Sequence, residues 1–327
     1  MLFWLARRIL TSLVLVLLVV TAVFFVVRLA PGDPLDQVVE EQLGPEEREF
    51  MRQRYGLDRP LLQQYLQWLG DLARGDFGVS LDQQRPVGEI LAETVPATLL
   101  LTVSAYLLHL LLAVAAGLIM AWRRGSWVDH LVQGVGLAFY SMPGFWLGLM
   151  AIMLISRQLG WFPVGGMHAA DAAFMSPMIR LLDLIHHLAL PVLTLAVGSF
   201  MGTARYLRSS LEEALNQDYI LAARSRGISE RRILIHHALR NALLPVITLV
   251  GLSVPFLLGG AVVTEVVFGW PGMGRVTVDA IWTRDYPVIM ATTLVAALTV
   301  VAGSLLADIL YTRADPRVVM GDPGRPL

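Results

Sequence analysis

The chain has 327 residues, 56% of them hydrophobic and only 16% charged, with a net charge of −1. Soluble domains carry about 25% charged residues, so an ordinary water-soluble fold is excluded. All 25 basic residues are arginine and there is no cysteine, which excludes disulfide and thiol chemistry as well as nucleotide hydrolysis through a P-loop, whose lysine must reach the phosphates.

Six apolar runs, near 9–29, 98–121, 131–156, 188–207, 243–264 and 287–311, are each long enough to cross a bilayer, which takes about 20 residues. The reading is an all-α polytopic membrane protein with six transmembrane helices. The first run begins with Arg7-Arg8, but its apolar core is longer than that of a signal peptide and no small-residue cleavage site follows, so it reads as an uncleaved first helix. Residues 30–97 form a large, acidic loop opened by the turn Pro31-Gly32-Asp33-Pro34. Within it, Leu62, Tyr65, Leu66, Leu69 and Leu72 recur at helical spacing between Pro60 and Gly75. That predicts a helix over 60–73, either lying on the interface or bundle or serving as a docking element or lid.

Residues 98–311 form the membrane domain, whose second span contains His109, read as a satisfied bundle or lipid-interface residue. The third span contains Gly134, Gly136, Gly144 and Gly148, with Ser141-Met142-Pro143 near its middle, and the fifth contains Pro245, Gly251, Pro255 and Gly259-Gly260. Small residues let helices approach closely in lipid, and Pro255 predicts a kink at a cavity or helix contact. Ser141, Met142, Pro143, Ser253, Pro255 and Gly259 are the candidates for a translocation path. No Lys, Glu or Arg lies near the centre of a span, and Asp308 sits close enough to Arg313 to pair with it near the inner surface. An ion-coupled carrier would keep a costly intramembrane charge for its relay, so any driving energy must arrive from another subunit. An intramembrane hydrolase using Ser141 or Ser199 would need a histidine with an acidic orienter, and neither that nor a Gly-x-Ser-x-Gly motif is evident.

Arginines fix the orientation. With the N-terminus inside, the inner segments hold fourteen arginines and the short outer loops only Arg157, Arg180, Arg275 and Arg284, which places both termini in the cytoplasm, including the tail 312–327. The loop 208–242 between spans four and five is then cytoplasmic. Span four is expected to continue as a helix to Leu215, with Asp218 as N-cap of a short helix Tyr219–Arg226. Gly227 follows at a left-handed turn, and Ser229 opens a second helix toward Asn241. Ala222 and Ala223 leave little bulk on the short helix, so a partner's groove can close around it. Tyr219 and Ile220 would supply apolar contacts, and Arg224, Arg226, Arg231 and Arg232 a polar rim. The competing reading is a basic loop held at an anionic lipid surface, which would require no defined bend.

This segment resembles the EAA loop of bacterial ABC importer permeases, in which Glu-Ala-Ala is followed three residues later by Gly. Here the pattern reads Leu221-Ala222-Ala223, Arg224-Ser225-Arg226, Gly227, with Leu221 in place of the glutamate. The departures are those of the dipeptide/oligopeptide/nickel branch. Further resemblance to its first permease comes from Gly75-Asp76-Phe77-Gly78, Arg85-Pro86-Val87, Pro143-Gly144-Phe145-Trp146, Trp270-Pro271-Gly272-Met273-Gly274, Arg284-Asp285-Tyr286-Pro287 and Asp315-Pro316-Arg317.

The resemblance implies a type I importer permease fold in the bacterial inner membrane, paired with a second homologous permease. It also implies two ATPases that use ATP and Mg, and a periplasmic or lipid-anchored binding protein that delivers substrate. This chain would bind no cofactor, metal or nucleic acid and would not itself be an enzyme. Residues matching the ATPase-coupling helix run from Asp218 to Arg232, centred on Ala222, Ala223 and Gly227. Peptides are the implied cargo, with nickel, glutathione or another small solute as alternatives; a carrier or channel acting alone is the reading from a different class.

Overall fold

The computed structural model describes residues 2–31, 49, 50, 52, 53, 56–243, 246, 249 and 261–314, leaving aside the side chains of 2–6 and 306–314. In chain order the helices are α1 (Leu2–Leu29), α2 (Leu61–Ala73), α3 (Val87–Trp122), α4 (Trp127–Ser141), α5 (Gly144–Ala151), α6 (Pro177–Leu215), α7 (Asp218–Ser225), α8 (Glu230–Arg232), α9 (Val262–Val267), α10 (Met273–Trp282) and α11 (Tyr286–Ala314). α5 continues as a π-helical stretch over Ile152–Gln158, and α8 as another over Ile233–Ala238 that stays helical through residue 243. Among the described residues, four helices are long and apolar enough to span a membrane, or five if the α4–α5 pair is one span. The predicted runs 9–29, 98–121, 188–207 and 287–311 fall within α1, α3, α6 and α11. Most of the fifth run lies outside the described residues, and so do the 32–34 turn, Ser253, Pro255, Gly259 and the Asp308–Arg313 pairing.

The third run is broken in the structure. It is not one straight span: α4 and the helix that follows are bent by 102° at Met142-Pro143. Proline has no N–H to continue the ladder, and its ring drives the preceding residue out of the helical region. Met142 accordingly has φ −83° and ψ 138°, extended backbone.

The chain divides into two compact units, Met1–Thr98 with Pro271–Val301, and Leu99–Trp270 with Ala302–Leu327. In the first, α2 packs on α1 through aromatic contacts. The Phe24 ring lies 5.2 Å from Tyr65 and 5.7 Å from Trp68, and the hydroxyls of Thr21 and Tyr65 meet at 2.7 Å. The Arg28 guanidinium sits over Phe24 and Tyr286 at 5.2 and 5.1 Å and donates to Gln64. Thus the helix predicted over 60–73 exists and is packed on its own chain. Its apolar face is split, however, with Tyr65, Trp68 and Leu72 turned to α1 and Leu62 and Leu66 exposed.

The Arg284-Asp285-Tyr286-Pro287 motif has a structural use in the same unit. Buried Asp285 accepts from the Ser80 hydroxyl, from Asp82 N–H at 3.3 Å and from Val288 N–H at 3.4 Å. It thereby caps the start of α11 and ties the 80–86 turn to it.

In the second unit, α3, α4 and α6 pack tightly where glycine permits. A Cβ on Gly136 would meet Met201 Sδ at 2.5 Å, and one on Gly117 would meet Leu207 at 3.0 Å. Gly148 approaches Val267 and Phe268 in the same way, whereas Gly134 and Gly144 face open space. Close approach therefore explains two of the four glycines noted in the third run.

Candidate functional site

The segment between α6 and α8 is built around a small apolar core. α6 ends at Leu215, Asn216 closes it, and Gln217 takes extended backbone at φ −79° and ψ 153°. α7 then begins at Asp218. Asp218 is therefore the first helical residue and not the N-cap expected from the sequence, and Gln217 at the cap position makes no side-chain capping bond. The Asp218 carboxylate still lies in the first turn, where it complements the helix dipole. Ser229 stands at the cap position of α8, also without a side-chain capping bond.

An eight-residue helix has one inward and one outward face. Ile220 and Ala223 point in and are buried against Leu207, Leu211, Ile233, Leu234 and Ala238. This corrects the expectation that Ile220 is offered to a partner. Burying such a side chain contributes about 1.5–3 kcal/mol, so α7 is held firmly to α6 and to the helix after α8. The outward residues are Asp218, Tyr219, Leu221, Ala222 and Ser225, with Tyr219 40% and Leu221 57% exposed. Tyr219 is steadied by Asn241, whose amide donates to its hydroxyl at 2.9 Å. Sequence reasoning treated Leu221 only as a departure from a motif. It lies beside Ala222 on the open face, and i to i+3 spacing from Asp218 was the available signal.

The bend after α7 is a Schellman turn. Gly227 N–H donates to Arg224 O at 2.9 Å, Ile228 N–H donates to Ala223 O at 3.3 Å, and Gly227 has φ +76°. A Cβ at Gly227 would meet nothing within 4 Å. Within this chain the glycine is therefore required by its backbone angle, and close packing adds nothing to that requirement. Across the bend Arg224 grips Glu230 at two points, Nε to Oε1 at 2.8 Å and Nη2 to Oε2 at 3.1 Å. The hydrogen bond from Arg224 outweighs a small desolvation cost and holds the Glu230 carboxyl below its ordinary value, while Arg224 is raised in return. Arg224 thus belongs to an internal clamp. Arg226, Arg231 and Arg232 are exposed.

A second network lies where α4 begins. Buried Asp129 receives Arg208 Nη1 on Oδ1 at 2.9 Å and Arg208 Nη2 on Oδ2 at 3.0 Å, together with Gly125 N–H and the Gln133 amide, each at 2.9 Å. Arg208 Nε continues to Glu212 at 3.0 Å, and Arg124 reaches Glu212 at 3.6 Å. The network joins the α3–α4 corner to the part of α6 that leads into α7. The sequence reading missed it.

The other candidates are dispersed. Met142 lines an almost wholly apolar cavity of about 460 Å³ with Phe139, Trp146, Leu190 and Val197, but Ser141 and Pro143 do not. Ser141 Oγ instead donates to Leu137 O at 2.8 Å. His109 contacts Ser199 Oγ through Nδ1 at 2.8 Å and Thr203 Oγ1 through Nε2 at 3.0 Å. His109 is thus a bundle histidine with both ring nitrogens engaged by neighbouring hydroxyls. His168 and His187 both turn Nδ1 to Asp183, at 2.8 and 3.1 Å. Among the described residues no group of three His, Asp or Glu is arranged to hold a metal.

Residues 113–320 match the family described as binding-protein-dependent transport system inner membrane component, and residues 1–102 match the family of the corresponding N-terminal region. The chain is 42% identical to the oligopeptide transport system permease protein AppB of Bacillus subtilis, over 96% of this chain and 98% of that protein. It is also 42% identical to the di/tripeptide transport system permease protein DppB of Pseudomonas aeruginosa, over 90% and 92% of the two chains. Among solved structures, the inward-facing MetNI methionine ABC transporter superposes with a TM-score of 0.50 at 19% identity, covering 68% of this chain and 96% of that one. That last likeness concerns the fold alone.

Proposed function

Since this chain belongs to the family of binding-protein-dependent transport system inner membrane components, we propose that it is one of two permease subunits of an ATP-driven peptide importer. In this reading α7 is the coupling helix, seated in the groove of a cytoplasmic ATPase. The observation that carries it is the two-faced build of α7. Ile220 and Ala223 lock it into the chain's own core, while Tyr219, Leu221 and Ala222 stay open. A load applied to the open face is passed to α6 and to the helix after α8, because both share that core. Ala222 keeps the docking face low, and Leu221 and Tyr219 give it apolar anchors, the usual anatomy of a helix in a groove. The Asp129–Arg208 network extends the rigid path from α6 to the start of α4.

The cargo reading rests on the names of the relatives, which are oligopeptide and di/tripeptide permeases. The orientation rests on the arginine count, which supports a cytoplasmic position for α7 and both termini. A binding protein would then meet the opposite side of the membrane, and the second permease and the two ATPases would complete the importer. The described segment containing Met142 contributes an apolar wall to the proposed path; Ser253, Pro255 and Gly259 remain part of that proposal from the sequence alone.

The chain has no cysteine, so a Leu221→Cys variant carries one thiol. In the assembled importer that thiol is expected to cross-link to a thiol placed in the groove of the ATPase, and Ile220→Cys is expected not to. Equal labelling of the two positions, or cross-linking of neither, would remove the coupling assignment. Uptake of a labelled tripeptide by the assembled importer tests the cargo, and transport of nickel or glutathione in its place would overturn it.

A further inference from the structure

Away from α7, the end of α3 and the turn into α4 form one side of an open groove whose other side is the helix following Glu230. Its volume is about 600 Å³, and it is lined by Ile119, Trp122, Arg123, Trp127, Arg231 and Ile235 with their apolar neighbours Leu118, Val128 and Leu234. Trp127 is largely exposed, and Trp122, Ile119 and Ile235 are each a little under half exposed. Arg124, the residue after Arg123, and Arg208 are paired with Glu212 and Asp129. Arg123 and Arg231 differ: among the described residues neither has a carboxylate partner.

The groove therefore combines three features that seldom coincide on a surface facing only water. It has an apolar floor, two indoles of the kind that settle at a membrane–water boundary, and two guanidiniums without a carboxylate partner among the described residues, whose fork geometry suits phosphate oxygens. It lies where a membrane-spanning helix ends, since α3 stops at Trp122. We propose that this groove binds one anionic glycerophospholipid. The headgroup phosphate lies between Arg123 and Arg231, and an acyl chain runs along Ile119, Leu234 and Ile235. Charge complementarity selects an anionic over a zwitterionic lipid. Arg231 stands in the helix that shares a core with α7, so a lipid here holds the base of the coupling segment against the bundle. The proposal relies on the functional reading above only for the leaflet, which the cytoplasmic orientation makes the inner one.

The test is native mass spectrometry of the assembled importer released from vesicles of mixed phosphatidylglycerol and phosphatidylcholine. The wild-type complex is expected to retain phosphatidylglycerol preferentially. In the Arg123→Gln/Arg231→Gln complex that preference should fall about thirtyfold, as about 1 kcal/mol per basic residue at an anionic surface implies. Ile119→Ser/Ile235→Ser should weaken retention of both lipids alike. An unchanged lipid preference in the arginine variant would overturn the proposal. So would displacement of the lipid by free glycerol phosphate at equal concentration, which would assign the arginines to a soluble phosphate. Cross-linking of Trp127→Cys to an ATPase subunit would make the groove a protein interface and overturn it too. Failure of the Leu221→Cys cross-link with retention of phosphatidylglycerol would sink the coupling reading and leave the lipid site standing.

Discussion

Two arginine–carboxylate pairs hold the segment around α7, and they are alike in geometry but opposite in surroundings. Arg208 meets Asp129 at two points where α4 begins, and Arg224 meets Glu230 at two points across the Gly227 bend. The Asp129 side chain is 2% exposed and that of Glu230 58%. A buried carboxylate must have its lone pairs filled, and Asp129 has two further donors in Gly125 N–H and Gln133. An exposed pair contributes little and is screened by salt, so the Arg224–Glu230 clamp cannot be what creates the bend. The bend rests on Gly227 and on the burial of Ile220 and Ala223. The Asp129 corner is thus a fixed frame built on a buried ion pair, while the Gly227 corner is held by backbone angle and apolar burial with an exposed ion pair added to it.

The sharpest way to break this contrast is to remove the buried partner. Arg208→Met leaves a buried carboxylate without its counter-charge, and loss of one member of such a pair costs about 3–5 kcal/mol. We expect the variant to unfold well below the wild-type temperature in detergent, with about 3 kcal/mol lost because Gly125 and Gln133 remain. Asp129→Asn added to Arg208→Met removes the orphaned charge and should recover much of the loss. Equal stability of wild type and single variant would show that the corner is not a frame.

Next in size is the bend itself. Gly227→Val forces a β-branched residue into the left-handed region, which costs roughly 1–2 kcal/mol. It should leave the protein inserted but uncouple peptide uptake from ATP hydrolysis. Asparagine tolerates that region, and open space surrounds the position within this chain, so Gly227→Asn should preserve the bend. Near-normal uptake by Gly227→Asn would assign the glycine to backbone angle alone. Loss of uptake with an intact fold by circular dichroism would show that a partner's groove closes on it.

What the sequence disclosed, and what it withheld, follows the same physics. α1, α3, α6 and α11 were legible because long apolar runs leave a lipid-spanning helix as the only way to satisfy the backbone. The Gly227 bend was legible because glycine reports a local backbone need. Pro143 was visible too, but proline marks a break without fixing its angle, and the 102° turn depends on what packs on either side. Asp129 and Arg208 lie 79 residues apart, and no local pattern announces such a partner. Ile220 was assigned to the wrong face because eight residues give barely two turns of periodicity. Leu221 was read as a lost motif residue when it was a gained surface residue.

The smallest expected effect tests the exposed pair directly. Glu230 has a folded value below the ordinary carboxylate range because Arg224 hydrogen-bonds its charged form. A depressed carboxyl contributes stability that is fully present above its unfolded value, about 4.3, and is lost only as pH falls through the lower folded value. Coupled uptake should therefore be indifferent to this pair between about pH 8 and pH 5. Arg224→Gln, which removes the clamp without touching the Schellman turn, should lower coupled uptake by less than Gly227→Val does. The remaining activity should be insensitive to salt where the wild type loses a little. A loss as large as that of Gly227→Val would mean that Arg224 also meets the ATPase. The exposed corner would then itself be part of the docking surface.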